Sequence, residues 1–243
     1  MINDIMTLLW KESREVLEQG GRRGRYTPLI FLAVFGIFMP LQFGRDMIET
    51  PVVLLFFSWV PLFLVSSVVA DSFAGERERH TLETLLASRL SDRAILLGKL
   101  FTAIGYGWGL TILSLMVGLV TVNVVYWSGA VLLYPAYIAL GGVVLSLLAA
   151  GVAAGAGVLV SLRAATVRQA QQSISLGVMV LVFGPTLGLQ FLPAAWQTRL
   201  AGWLSGANLT SVVLGVVGVL LVLNVVLFVV VSARFQRTTL ILD

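Results

Sequence analysis

The sequence predicts an all-α membrane protein: six spanning helices, a helix lying in the membrane interface before them, and one charged helical segment between the second and third spans. Three observations lead there. First, 58% of the 243 residues are hydrophobic and only 12% are charged, whereas a soluble domain carries about 25% charged residues. Second, apolar stretches of spanning length recur at 26–43, 51–70, 100–124, 135–161, 173–192 and 208–232, each close to the roughly 20 residues that cross a bilayer as a helix. Third, the charges fall between those stretches, as they must when each one at mid-membrane costs roughly 2.5–3.5 kcal/mol.

Taken in order, residues 2–18 form an amphipathic helix. Ile2, Met6, Leu9 and Val16 or Leu17 share an apolar face, and Asp4, Lys11, Arg14, Glu15 and Glu18 are polar neighbours. Gly20-Gly21 ends it, and residues 1–25 are read as an interfacial segment. The opening residues lack the short apolar core and small-residue cleavage site of a signal peptide. The six-span bundle then occupies 26–232, and 233–243 is a tail; the chain is one domain over 1–243. Pro61 and Pro185 fall inside the second and fifth spans, where each removes a backbone donor and is expected to kink its helix. The fourth span is rich in small residues, with Gly151 and Gly155 forming a GxxxG that lets helix backbones approach closely. Between the fifth and sixth spans, Pro193 opens a short outer helix carrying Trp196, Leu200 and Trp203, with Arg199 on another side.

Fourteen of the sixteen Lys and Arg residues lie on one side of this layout, and only Arg45 and Arg199 lie on the other. The positive-inside rule therefore places both termini in the cytoplasm of a multi-pass cell-membrane protein. Tyr126, Trp127, Tyr134, Tyr137, Trp196 and Trp203 gather at the opposite ends, as an outer aromatic belt does. The net charge of +4 comes from these basic loops and does not indicate nucleic-acid binding. With no cysteine, disulfides and thiolate metal sites are excluded.

The segment DSFAGERERHTLETLLASRLSDRAILLGK, residues 71–99, is too charged to lie in hydrocarbon. Glu76 to Ala87 reads as a helix on which Leu82, Leu85 and Leu86 share one face, ringed by Glu76, Arg79 and Glu83. Ser91 is placed to cap the third spanning helix, with Asp92 in its first turn. A leucine face with no other cytoplasmic part to cover it points to a docked partner. The stretch Ala74-Gly75-Glu76-Arg77-Glu78-Arg79-His80-Thr81-Leu82-Glu83-Thr84-Leu85-Leu86, with Ser91-Asp92-Arg93 and Gly98-Lys99 after it, resembles the signature of ABC type-2 transporter permeases. One position departs: His80 stands where that family usually has Gly, so the helix is expected to run on more continuously here.

The resemblance implies a permease half of a type V ABC exporter, of the kind found in a prokaryotic inner or plasma membrane. It places ATP and Mg on a separate nucleotide-binding ATPase subunit and pairs this chain with a second permease subunit, identical or related. Glu76, Glu78, Thr81, Leu82 and Glu83 are then docking residues of the coupling helix, joined by Leu85 and Leu86 on the leucine face. The sequence agrees that the chain is not itself the ATPase. Gly98-Lys99 has Arg93 where a phosphate loop needs its first Gly, and Leu100 follows where Ser or Thr is required. Polar residues that could line a pathway are Gln42, Asn123, Gln190 and Asn224. The competing reading is a membrane scaffold or assembly factor that anchors a cytoplasmic partner without transport. An intramembrane enzyme is disfavoured, because the single His lies in the charged segment and no span holds a paired catalytic constellation.

Overall fold

A computed structural model describes residues 2–18, 21–87, 89–206 and 209–235. The expected tail beyond Phe235 lies outside them. Among the described residues the fold is helical throughout, without strands. In chain order the elements are α1 (Ile2–Glu18), α2 (Gly21–Phe31), a π-helical stretch (Leu32–Phe38), α3 (Met39–Phe43), α4 (Asp46–Glu49) and α5 (Val52–Glu78). There follow α6 (Leu82–Leu86), α7 (Asp92–Val125), α8 (Ala136–Ser161), α9 (Val167–Phe191), α10 (Ala194–Gly206) and α11 (Leu209–Arg234). Among the described residues, five stretches are long and apolar enough to cross a membrane: Tyr26–Phe43, Phe56–Glu78, Asp92–Val125, Ala136–Ser161 and Thr210–Arg234. The protein is a multi-pass, all-α membrane protein. Most of the expected fifth span, 173–192, folds within the 25-residue helix α9.

The first span is the least regular. Its middle is a seven-residue π-helical stretch over Leu32–Phe38, a form that is rare beyond single-turn bulges. The stretch packs tightly on α7. Gly36 is buried so close to α7 that a Cβ on it would stand 2.9 Å from Val117 Cγ1. Thr121 Oγ1 donates to the carbonyl of Gly36 at 2.8 Å. The second span runs unbroken through Pro61.

Helix α8 is the inner post of the bundle, and its small residues work on two sides. Toward α5, Gly157 lies so close that a Cβ would stand 2.7 Å from Val69 Cγ1. Toward α11, a Cβ on Gly155 would stand 3.0 Å from Leu227 Cβ, and one on Gly151 would collide with the Asn224 side chain. The GxxxG is therefore the seat of the last spanning helix, as close backbone packing in a membrane requires. Around this post a core forms from Val65, Val69 and Phe73 of α5, Ile95 and Leu100 of α7, Ala150, Ala154 and Val158 of α8, and Ile174 of α9. At the opposite end a smaller cluster gathers Met47, Ile48, Phe57, Val122 and Ile138.

That end is closed by side chains bonding to backbone. Tyr126 donates its hydroxyl to the Leu41 carbonyl at 2.7 Å, and Arg45 donates to the Tyr126 carbonyl at 3.2 Å. Asn123 clasps Leu132 in both directions, accepting from its N–H at 2.7 Å and donating to its carbonyl at 2.9 Å. The outer helix predicted after Pro193 is α10, with the Arg199 guanidinium 5.7 Å from the centre of the Trp196 ring.

Gly157→Leu is expected to lower the melting temperature of the detergent-extracted protein. Overpacking costs about 1–3 kcal/mol and outweighs the roughly 1 kcal/mol gained by removing a helical glycine. Gly177→Leu, where a Cβ meets nothing within 4 Å, is expected to melt at or above the wild-type temperature.

Candidate functional site

The charged segment at 71–99 folds into a knot joining five helices. Helix α5 carries it out of the bundle and ends at Glu78. The chain then turns at His80, whose φ is +57°. His80 N–H donates to the Arg77 carbonyl at 3.1 Å, and Thr81 N–H donates to the Glu76 carbonyl at 2.9 Å. These two bonds are the Schellman pattern, in which a left-handed residue ends a helix and satisfies its last carbonyls. The expected continuous helix over Glu76–Ala87 is thus two pieces, α5 and the five-residue α6. His80 itself makes the sharp bend, because His tolerates the left-handed region better than most side chains do.

Each of the four consecutive charges Glu76, Arg77, Glu78 and Arg79 has a partner within the protein. Lys99, in α7 and buried, donates from Nζ to Glu76 Oε1 and to Glu12 Oε1, both at 2.9 Å. Glu12 comes from α1, so a single ammonium joins the interfacial helix, the motif and the third span. The same ammonium stands 5.3 Å from the centre of the Phe73 ring. Glu76 Oε2 is buried with no hydrogen-bond partner among the described residues. It borders a polar cavity of about 30 Å³ shared with Asp71, Ser72 and Arg79. Arg77 donates to the carbonyls of Ala164 at 2.8 Å and Leu162 at 2.9 Å, just past the end of α8. Glu78 Oε2 accepts from the N–H of Val167 at 3.0 Å, the first residue of α9. A cation thus meets a helix C-terminus and an anion meets the next helix's N-terminus, the signs that the helix dipoles favour. Arg79 pairs with Asp71 at 3.2 Å on the surface. Behind the motif, buried Ser161 of α8 accepts from the N–H of Ala74 at 3.0 Å and donates to the Ala70 carbonyl at 3.1 Å.

The predicted docking residues separate into two groups. Glu76 is 6% exposed and Leu82 is 7% exposed, so both are turned inward: Glu76 into the ion triad, Leu82 into the main core. Leu85 is half-buried against that core. The leucine face expected to lie uncovered is covered by the protein's own helices. The Leu86 side chain lies outside the described residues. Glu78, Thr81 and Glu83 are exposed, together with His80, Thr84 and Ala87. The N-terminal helix forms where expected but turns a different edge inward. Leu8 and Glu12 are buried against α7, while Met6 is 66% exposed. The cause is Lys99, whose buried charge draws in a carboxylate that the hydrophobic pattern assigns to the wet side.

Of the polar residues considered for a pathway, Asn123 is occupied by Leu132, and Asn224 donates to the carbonyls of Leu148 at 3.0 Å and Leu220 at 2.8 Å. Gln42 and Gln190 are exposed. Among the described residues no group of His, Asp and Glu is arranged to hold a metal ion. Ser91 caps α7 as expected, its hydroxyl accepting from the Ala94 N–H at 3.3 Å. Comparison with known proteins gives no match to a family model, to a curated protein or to a solved structure.

Sequence reasoning missed the triad. The signal available was a Lys near the start of a long apolar helix, since a charge in such a helix calls for a partner. Lys99→Met is expected to destabilise the protein by about 3–5 kcal/mol, because it leaves two carboxylates buried together. The combination Glu12→Gln, Lys99→Met, Glu76→Gln is expected to recover most of that loss in thermal melts; wild-type melting of Lys99→Met alone would contradict the assignment.

His80→Gly is expected to raise stability by about 0.5–1 kcal/mol. It relieves roughly 1–2 kcal/mol of left-handed strain and returns part of it as unfolded-state freedom. His80→Val, β-branched at the same φ, is expected to melt below wild type.

Proposed function

We propose that the chain is the transmembrane permease subunit of an ATP-binding cassette exporter. It forms half of the substrate pathway, pairs with a second permease subunit, and couples to a separate ATPase subunit that holds ATP and Mg. In this reading α9 is the fifth of six spans, and both termini lie in the cytoplasm. The observation that carries the proposal is the knot. A motif resembling the permease coupling signature stands where one push reaches α1 and α7 through Lys99, α8 through Arg77, and α9 through Glu78.

The partition of the motif gives the mechanism. The outward residues Thr81, Glu83 and Thr84, with Glu78 beside them, meet the ATPase. The inward residues Glu76 and Leu82 carry the displacement into the bundle. When the ATPase subunits close on ATP, α6 is driven against the core and the clasped helix ends shift together. Interfaces with two stable packings turn such a stroke into alternating access across the paired permeases.

The full chain, purified from its native membrane, is expected to bring an ATPase subunit and ATP turnover with it. Glu83→Arg with Thr84→Arg is expected to reduce the ATPase recovered at least tenfold while leaving the melting temperature unchanged, since both side chains are exposed. An undiminished ATPase yield from the double variant would show that docking lies elsewhere. A wild-type complex without any ATPase would overturn the permease reading.

A further inference from the structure

We propose that a groove between α1 and α7 holds an acyl chain of an anionic phospholipid of the cytoplasmic leaflet, with the lipid phosphate on Arg14. The leaflet assignment rests on the orientation given under Proposed function. The groove rests on geometry. Helix α1 touches α7 along one edge: Leu8 lies so close to Gly98 that a Cβ there would stand 2.9 Å from Leu8 Cβ, and Glu12 bonds Lys99 one turn further on. On the flank beside that edge the helices part. Leu9, Trp10 and Val16 of α1 and Phe101, Gly105 and Tyr106 of α7 line an open groove of about 450 Å³. That volume lies within the roughly 300–1,000 Å³ of small-molecule sites. A Cβ on Gly105 would meet nothing within 4 Å, so the floor is open.

Two facts select the occupant. Trp10 is 63% exposed and Phe101 51% exposed, and in the proposed orientation both stand at the cytoplasmic membrane boundary. An apolar groove under an interfacial helix is continuous with hydrocarbon, so a lipid chain is the molecule that reaches it. The charge at its rim is positive. The Arg14 guanidinium lies exposed 4.5 Å above the Trp10 ring, whereas Lys11 is shared with Glu15 at 3.5 Å. The sequence continues with Arg22, Arg23 and Arg25, and no acid occurs between Glu18 and Asp46. Basic segments beside a membrane span attract the anionic lipids of the cytoplasmic leaflet. A neutral headgroup would leave that rim unused.

The test is native mass spectrometry of the full chain in detergent, titrated with phosphatidylglycerol or with phosphatidylcholine of the same chains. One phosphatidylglycerol is expected to be retained with at least tenfold higher affinity than phosphatidylcholine. Gly105→Trp, which fills the groove, is expected to weaken both lipids at least tenfold; Gly105→Leu is the smaller variant should the first fail to fold, with melting curves as the check. Arg14→Gln is expected to bring phosphatidylglycerol down to the phosphatidylcholine level and leave phosphatidylcholine unchanged. Equal retention of the two lipids by the wild type, or unchanged retention by a folded Gly105 variant, would overturn the proposal. So would a change in the number of chains per particle instead of in bound lipid, which would make the groove a contact between copies. None of these readouts involves an ATPase, and labelling of Ser128→Cys from each side of the membrane reads the orientation separately.

Discussion

The structure depends on a lysine that has no water to sit in. Lys99 lies seven residues inside α7 and is almost wholly buried. An unpaired ammonium there would cost several kcal/mol, and a buried charge persists only when partners replace its hydration. Glu76 and Glu12 are those partners, one from the end of α5 and one from α1. Placing both carboxylates on one ammonium sets where α5 leaves the bundle and which edge of α1 faces it. A buried ion pair adds little net stability against an apolar replacement. Its contribution here is position: the three groups satisfy one another in one arrangement of α1, α5 and α7.

From that anchor the next two residues extend the order outward. Arg77 reaches the carbonyls after α8, and Glu78 reaches the first N–H of α9. Helix ends leave backbone groups unsatisfied, and here one short peptide satisfies the end of one helix and the start of the next. Consecutive charges of opposite sign suit that task because the two helix ends carry opposite partial charges. The alternation Glu-Arg-Glu-Arg is therefore read by four structural partners: Lys99, the α8 end, the α9 start and Asp71. This one peptide is bonded to α1-linked Lys99, to the end of α8 and to the start of α9, and the proposed role in coupling rests on those bonds.

Much of the architecture was legible because a bilayer imposes simple rules. Lengths of apolar sequence gave the spanning helices, Ser91 gave the start of α7, and the GxxxG of α8 gave a close helix contact. Helix α9 forms over Val167–Phe191 and starts ahead of its apolar stretch, in turns that carry Arg168, Gln169, Gln171 and Gln172, all exposed. The π-helical stretch of the first span was not legible, because it answers to Thr121 and Val117, far away in the chain.

The candidate site divides in the same way. By itself the sequence determined that the 71–99 segment is dense in charge, that it is helical, and that it carries a leucine face with charges around it. These follow from local composition and the 3.6-residue period. Only the tertiary structure decided which way those residues turn. Leu82 faces inward because the ends of α5 and α7 leave an apolar space beneath it, and Glu76 turns inward because Lys99 waits there. His80 breaks the helix because the last carbonyls of α5 find their donors only if the chain reverses at that point. Facing and pairing are properties of neighbours 23 to 91 residues apart, and a periodicity read along one helix holds no information about them.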